Sequence, residues 1–343
     1  MTTAYDTLKE SLRANPKRWL VTGAAGFIGS HLVETLLKLD QEVVGLDNLS
    51  TGFMENVAGV RALVRPEQAE RYTFIQGDIT HLSDCERACA GADVVLHQAA
   101  LGSVPRSIEF PLDTHTANVT GFANMVVAAK NAGIQSFVYA SSSSVYGDHP
   151  GLPKVEDKIG NTLSPYAASK LTNEHYATAY CAVYDIHMVG LRYFNVMGPR
   201  QNPKGAYAAV IPRWMQEFIE GSQPNIFGDG ETSRDFCPIA NVVQANLLAA
   251  DRAFSCRAEA YNVAIGGRTT LNTLFTLIRD GLANRGVNCG DMNPQYQDFR
   301  PGDIKHSHAN IDKAIRDLGY APSHTLAEGL DLTIEWYMNH LST

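Results

Sequence analysis

The apolar positions of this chain change period again and again. The short run Arg18 to Gly23 (RWLVTG) reads as a strand, FIGSHLVETLLKL behind it carries apolar residues at helical spacing, and EVVGLDN is a second strand. That is a βαβ unit. The alternation continues through YTFIQGDI, the helical CERACAGA, VVLHQAA, the long run TANVTGFANMVVAAKNAG, SFVYASS, PYAASKLTNEHYATAYCAVYD and HMVGLRYFNV. It predicts an α/β fold: a Rossmann-type, doubly wound parallel sheet with helices on both faces.

After Asn195 the pattern breaks into MGPRQNPKGAYAAVIPRWM, rich in Pro, Gly and Asn, and then NIFGDGETSRDF with the turn pair Asp229-Gly230. EAYNVAIGG reads as another core strand. The expected division is therefore a dinucleotide-binding domain over residues 1–196 that resumes at about 237–268. Residues 197–236 and 269–343 would form a smaller C-terminal α/β lobe facing the substrate.

Composition narrows the function classes. A chain of 343 residues, 45% hydrophobic, has room for a sizeable core. The formal charge of -8 argues against a nucleic-acid surface, so a phosphate ligand must be held by placed groups. The N-terminus MTTAYDTLKESLRANPKRW has charges throughout, and nowhere do about 18 apolar residues run together. A cytosolic protein with no membrane partner is expected. Six scattered cysteines, with Cys85 and Cys89 at helical spacing but no second pair, read as reduced thiols and imply no metal site.

TGAAGFIG places Gly23, Gly26 and Gly29 between a strand and a helix. Glycine there permits a tight turn, lets backbone amides approach a pyrophosphate and packs helix against sheet, while the helix N-terminus attracts the negative charge. The second strand ends at Asp47, 24 residues beyond Gly23. A carboxylate there accepts hydrogen bonds from a ribose diol and repels a 2′-phosphate, which points to NAD rather than NADP; the lesser alternative is that it only caps the turn NLSTG. Asp78 and Ile79 end the third strand where an adenine edge would lie, and Gln98 and Ala99 follow on the next.

In SPYAASK, Ser164 suits an N-cap and Pro165 a first helical position, so Tyr166 and Lys170 share one helix face at i, i+4. An ammonium beside a phenol, together with a positive nicotinamide, favours phenolate and makes a usable base. The upstream strand ends in Ser141, Ser142, Ser143 and Ser144. Serines supply turns, but the C-terminal ends of parallel strands also face the ligand crevice, where a hydroxyl can bridge a sugar oxygen and the tyrosine.

The fingerprint TGAAGFIG, SSSSVYGD, SPYAASK, LRYFNVMGPR, GDGETSRDF and FRPGD together resemble the extended short-chain dehydrogenase/reductase family, specifically its nucleotide-sugar 4-epimerases. LHQAALGSVPRS, GAYAAVIPRW, SRDFC and GDIKHS look like the subgroup acting on UDP-N-acetylhexosamines, enzymes of surface polysaccharide synthesis. The resemblance implies a catalytic set of Ser142, Ser143, Ser144, Tyr166 and Lys170, the last also holding the nicotinamide ribose. It implies further NAD contacts from Phe27, Ile28, Asn48, Ser50, Thr51 and Gly52. On the substrate side, Asn195 would bond the diphosphate or sugar, Arg234 and Arg300 would clamp the diphosphate, and Asp303 would bind near the nucleotide. Gly102, Ser103, Gln201, Ala209, Val210 and Ser307 would form small or polar walls that admit an N-acetyl group. The two long helical runs resemble a four-helix homodimer interface.

Two departures accompany the resemblance. Pro238 and Ala240 in CPIAN replace an aromatic or His residue and a later acidic one, and Val145 stands where the subgroup often has Thr. The expected reaction is redox-neutral inversion at C4 of UDP-GlcNAc and UDP-GalNAc through a 4-keto sugar, with NAD retained. Two alternatives stay open: a 4-epimerase of UDP-N-acetylglucosaminuronate, and a non-catalytic NAD(H)-sensing module.

Overall fold

The computed structural model describes residues 2–204, 207–253, 258–299 and 305–341. Seven strands form one parallel sheet: β1 (Arg18–Thr22), β2 (Glu42–Asp47), β3 (Tyr72–Gln76), β4 (Val94–His97), β5 (Ser136–Ser142), β6 (His187–Tyr193) and β7 (Ala258–Val263). Their order is β7-β6-β5-β4-β1-β2-β3, every neighbouring pair parallel. The chain runs outward from β1 to β3, then crosses back to β4 and runs out the other way. A crevice opens between the carboxyl ends of β1 and β4, where doubly wound sheets bind ligands.

The middle of each central strand is apolar because helices cover both faces. Leu20, Val21, Val43, Val95 and Leu96 are all fully buried. One layer holds α1 (Ala4–Ala14) and α2 (Phe27–Lys38), the latter burying Leu32, Val33, Leu36 and Leu37. The opposite layer holds α3 (Leu82–Cys89). A short helix, α4 (Val104–Glu109), follows β4. The long run TANVTGFANMVVAAKNAG is not one regular helix: a π-helical turn, Thr116–Thr120, leads into α5 (Gly121–Asn131). Beside α5 lies α6 (Pro165–Val183), which starts as its sequence predicts, with the Ser164 hydroxyl accepting from the Ala167 amide at 3.1 Å.

Segments outside the sheet build a separate apolar core. Trp214 and Phe218 of α7 (Val210–Ile219) meet Phe275 and Ile278, and Leu330, Ile334 and Tyr337 complete the cluster. Between them α8 (Ile239–Arg252) packs on the sheet in the layer of α2. Phe275 and Ile278 belong to α9 (Leu271–Ala283), and the last three residues to α10 (Leu326–Leu341). Ala314, Leu318 and Tyr320 join the sheet's core instead. Short strand pairs link the parts: Cys237–Pro238 runs parallel to Val196–Met197, and Ser233–Arg234 antiparallel to Thr269–Thr270.

Cys85, Cys89, Cys181, Cys237 and Cys289 are buried free thiols, and burial pushes Cys85 and Cys89 up to about 12; Cys256 lies outside the described residues. Among the described residues there is no metal-sized group of His, Cys, Asp or Glu, and no helix long and apolar enough to cross a membrane.

Candidate active site

The turn between β1 and α2 is closed to side chains. Gly23 sits at φ +68°, and a Cβ on Gly29 would stand 2.0 Å from the Gly23 carbonyl oxygen. Only glycine permits that approach. Gly26 caps α2 without a side-chain bond, so the first amides of the helix face the turn, flanked by the half-buried Phe27 and Ile28. Asp47 closes β2, its carboxylate accepting from the amides of Ala25 (3.0 Å) and Leu49 (2.8 Å). Burial raises its pKa against the pull of those donors. A Cβ on Gly52 would come within 3.0 Å of the same carboxylate, while Ser50 and Thr51 are exposed beside it. Asn48 donates to Asp78 at 2.8 Å, bringing the ends of β2 and β3 together next to the buried Ile79. A glycine cradle at a helix N-terminus, with a carboxylate at the next strand end, fits a dinucleotide with a free ribose diol.

Gln98 and Ala99 continue β4 toward the crevice. The Ala99 amide bonds Thr22, and a Cβ on Gly23 would touch it at 2.9 Å. The Gln98 side chain is engaged in a polar network, donating to Asn246 (3.0 Å) and accepting from the Tyr193 hydroxyl (3.0 Å).

The hydroxyl cluster forms where β5 ends and α6 begins. Ser142 Oγ accepts from both the amide (3.1 Å) and the hydroxyl (2.9 Å) of Ser144, so its own proton is not spent on that neighbour and it faces the Tyr166 phenol. Burial holds Tyr166 above the ordinary tyrosine value, and the nearby Ser142 hydroxyl pulls it back. Lys170, itself buried, donates to the Ala140 carbonyl at 2.8 Å, and burial draws its pKa down to about 8. The side chains alone therefore do not bring Tyr166 to neutrality. A positive charge beside the phenol would lower it further, and an oxidised nicotinamide held by this cradle would supply one. Ser143 is half-buried at the start of the 3-10 turn Ser143–Tyr146.

A cavity of about 210 Å³ opens beyond, lined by Asn195, Val210, Arg234 and Phe236 together with Trp214, Asn225 and Phe227. Asn195, at φ +30°, donates to the Asp235 carbonyl at 3.1 Å, and Arg234 donates to the carbonyls of Ser233 (3.0 Å) and Lys305 (3.1 Å). Ala209 is exposed; its neighbours Ala208 and Val210 wall the cavity instead. Gln201 reaches the Val196 carbonyl at 3.2 Å, and its own carbonyl takes the Tyr337 hydroxyl. Ser307 bonds the Ser233 carbonyl at 2.9 Å, and Ser103 caps α4 on the Arg106 amide at 3.2 Å, next to the exposed Gly102. Arg300 and Asp303 lie outside the described residues.

The NAD dependent epimerase/dehydratase family model matches residues 19–264, well over half of the chain. The chain belongs to this family. It is 37% identical to a UDP-glucose 4-epimerase of Mycolicibacterium smegmatis over 94% of this chain and 99% of that one. Its fold resembles that of the UDP-N-acetylglucosamine 4-epimerase from Methanobrevibacter ruminantium in complex with UDP-N-acetylmuramic acid, with TM-score 0.86 and 38% identity over 94% and 99% of the two chains. It also resembles the Thermus thermophilus UDP-glucose 4-epimerase in complex with NAD, with TM-score 0.80 and 32% identity over 94% and 99%.

Within this epimerase/dehydratase chain, the departures at Pro238 and Ala240 have a packing consequence. The Pro238 ring fills the place a Cβ on Gly329 would need, at 2.6 Å, so it seats α10 against the start of α8. Ala240 lines a larger cavity of about 800 Å³ between α1, α2, α8 and α10, which includes none of the hydroxyl cluster. Several neighbours of the site lay hidden in the sequence. Asn118, in the π-helical turn, bonds both backbone groups of Leu101 and the Ser169 hydroxyl (3.1 Å), fixing the Gly102–Ser103 loop against α6. A polar residue within an apolar helical run was its only signal.

Proposed function

We propose that this chain is an NAD-dependent 4-epimerase of UDP-N-acetylhexosamines, interconverting UDP-GlcNAc and UDP-GalNAc. The observation that carries the reading is the Ser142 hydroxyl facing Tyr166, with Lys170 on the same helix face, beside a glycine cradle. The similarity to 4-epimerases supports action on a UDP-sugar; the small groups at Gly102 and Ser103 support the N-acetyl form.

Gly23, Gly26, Gly29 and Asp47 would hold NAD, which when bound supplies the hydride acceptor and donor for C4. Tyr166 takes the proton of the C4 hydroxyl as phenolate, with Ser142 bridging the two oxygens and Ser144 holding Ser142 in place. Lys170 keeps a positive charge one helical turn away. Asn195 and Arg234 grip the diphosphate while the 4-keto sugar turns its other face, and Tyr166 returns the proton on that face. The sugar must be loosely held, and the short side chains at Gly102, Ser103 and Ser307 allow it. Arg300 and Asp303 complete the nucleotide grip in this reading. Residues 1–196 and 237–268 act as the NAD domain, and the remainder as the UDP-sugar lobe.

The chain would work as a homodimer through α5 and α6. Tyr176 and Val183 on α6 are 40% and 70% exposed and Tyr184 just after it is 42% exposed, a run of apolar surface that a second copy would cover. Light scattering at micromolar concentration tests this, and a monomer would refute it.

The deciding test follows the anomeric protons of UDP-GlcNAc, UDP-glucose and UDP-N-acetylglucosaminuronate by NMR with purified protein and no added NAD. Galacto-configured product from UDP-GlcNAc above the other two is expected. Conversion of the uronate alone would move the substrate to the acidic sugar. No conversion, even with NAD added, would refute epimerisation of these three.

A further inference from the structure

Three residues of α6 at i, i+4 and i+8 reach the end of β5. Tyr166 meets Ser142, Lys170 meets the Ala140 carbonyl, and Glu174 accepts from the Ser141 hydroxyl at 2.6 Å. Ser141 has no part in the proposed reaction, and its hydroxyl is spent on this bond. Glu174 is also gripped by both arms of Arg192, Nε to Oε1 at 2.9 Å and Nη2 to Oε2 at 2.8 Å. The side chains of the pair are only 5% (Arg192) and 11% (Glu174) exposed. Arg192 lies directly opposite Ser141 in the β5–β6 register, so helix and both strands meet at one carboxylate. From the far side, Arg192 donates to the Glu156 carbonyl at 2.8 Å and stacks 4.9 Å over the Tyr146 ring, which follows the serine run in sequence.

A buried ion pair is a poor way to gain stability, because desolvation offsets most of the attraction. A bidentate guanidinium–carboxylate fork does, however, fix direction as well as distance. We propose that Glu174 and Arg192 are positioning residues of the proton-transfer site: through Ser141 they set the tip of β5 so that the Ser142 hydroxyl stays on the Tyr166 phenol. The proposal rests on the epimerase reading for its kinetic arm only. Misplacement of a catalytic group by about 1 Å costs on the order of 100-fold in rate, so a lever this close to the phenol acts on kcat.

The test is a double-variant cycle with crystallography beside it. Glu174→Gln lowers kcat about tenfold with KM for the UDP-sugar unchanged, and Ser141→Ala, which leaves the ion pair in place, lowers it by a smaller factor in the same way. In a Ser142→Ala background Glu174→Gln then costs less than about twofold, because the hydroxyl through which it acts is gone. Crystal structures of Ser141→Ala and Glu174→Gln show the Ser142–Tyr166 bond lengthened or broken. Equal losses in both backgrounds, a loss of melting temperature alone, or an intact Ser142–Tyr166 bond in both crystals would overturn the proposal. Absence of turnover in the unmodified protein would strike at the epimerase reading, and the crystals would still decide this one.

Discussion

Lys170 gives its Nζ to the carbonyl of Ala140, 2.8 Å away and two residues before Ser142. The bond anchors the amine in a buried site whose desolvation draws its pKa from 10.5 to about 8. Below that value the amine is charged and favours phenolate on Tyr166; above it the cation is lost, and burial already holds the phenol high. The kcat profile should therefore fall on the alkaline side with a midpoint near pH 8. Lys170→Arg, a slower enzyme, keeps its charge across this range and lacks that limb. Lys170→Met should lower kcat at pH 7 by roughly 100-fold or more. An alkaline limb unchanged in Lys170→Arg would assign it to another group.

Gly29→Ala puts a methyl 2.0 Å from the Gly23 carbonyl oxygen, and backbone atoms cannot yield as a side chain tip can. The turn must open, which costs about 1–3 kcal/mol and displaces the first amides of α2. NAD released by acid from the purified protein should fall at least about tenfold relative to the unmodified chain. Gly59→Ala is the control: nothing lies within 4 Å of its Cβ position in the helix Met54–Ala62. That change should stabilise the fold by about 0.5–1 kcal/mol in urea titrations and leave NAD content alone.

Arg234 lies on the cavity wall with its guanidinium anchored by two carbonyls, Ser233 and Lys305. Anchoring of this kind preorganises a charge for an anion. Arg234→Ala should raise KM for the UDP-sugar by about 10- to 100-fold with kcat changed less than about threefold, as expected for loss of a charge-assisted bond away from the reacting carbon. Steady-state kinetics check it, and an equal fall in kcat would place Arg234 at the chemistry instead.

These residues also mark what a one-dimensional reading can reach. The Gly23–Gly29 turn, the Ser164 cap and the Tyr166–Lys170 face are local: spacing of three to four residues fixes them, so they were legible. Glu174 obeys the same spacing one turn further on, yet its role depends on Arg192, which reaches it only because β6 pairs with β5. The cavity beyond the hydroxyls is still less local. Trp214, Asn225 and Phe227 reach Asn195 through the packing of α7 against α9, which no periodicity announces. Gln98 shows the converse: its place beside the crevice was readable, whereas the turn of its amide toward Asn246 and Tyr193 was a choice among tertiary partners.

Asp235, next to Arg234, is fully buried and takes its hydrogen bonds from the amides of Ile265 (3.1 Å) and Ala309 (3.4 Å). Burial outweighs those donors and lifts its carboxyl from 3.8 to about 6. The folded state thus binds this proton more tightly than the unfolded chain does. Its contribution to stability is complete below the unfolded value of 3.8 and is lost as pH rises through about 6. The rise from 3.8 to about 6 corresponds to about 3 kcal/mol of differential stability. Asp235→Asn keeps a carbonyl for one of the amides and carries no charge at any pH. The unfolding free energy of the variant, relative to the unmodified protein, should therefore rise by about 3 kcal/mol between about pH 4 and about pH 7. Urea titrations across that window measure the difference. A constant offset would mean that Asp235 titrates with its ordinary pKa, and the three segments it joins would then owe their junction to the bonds alone.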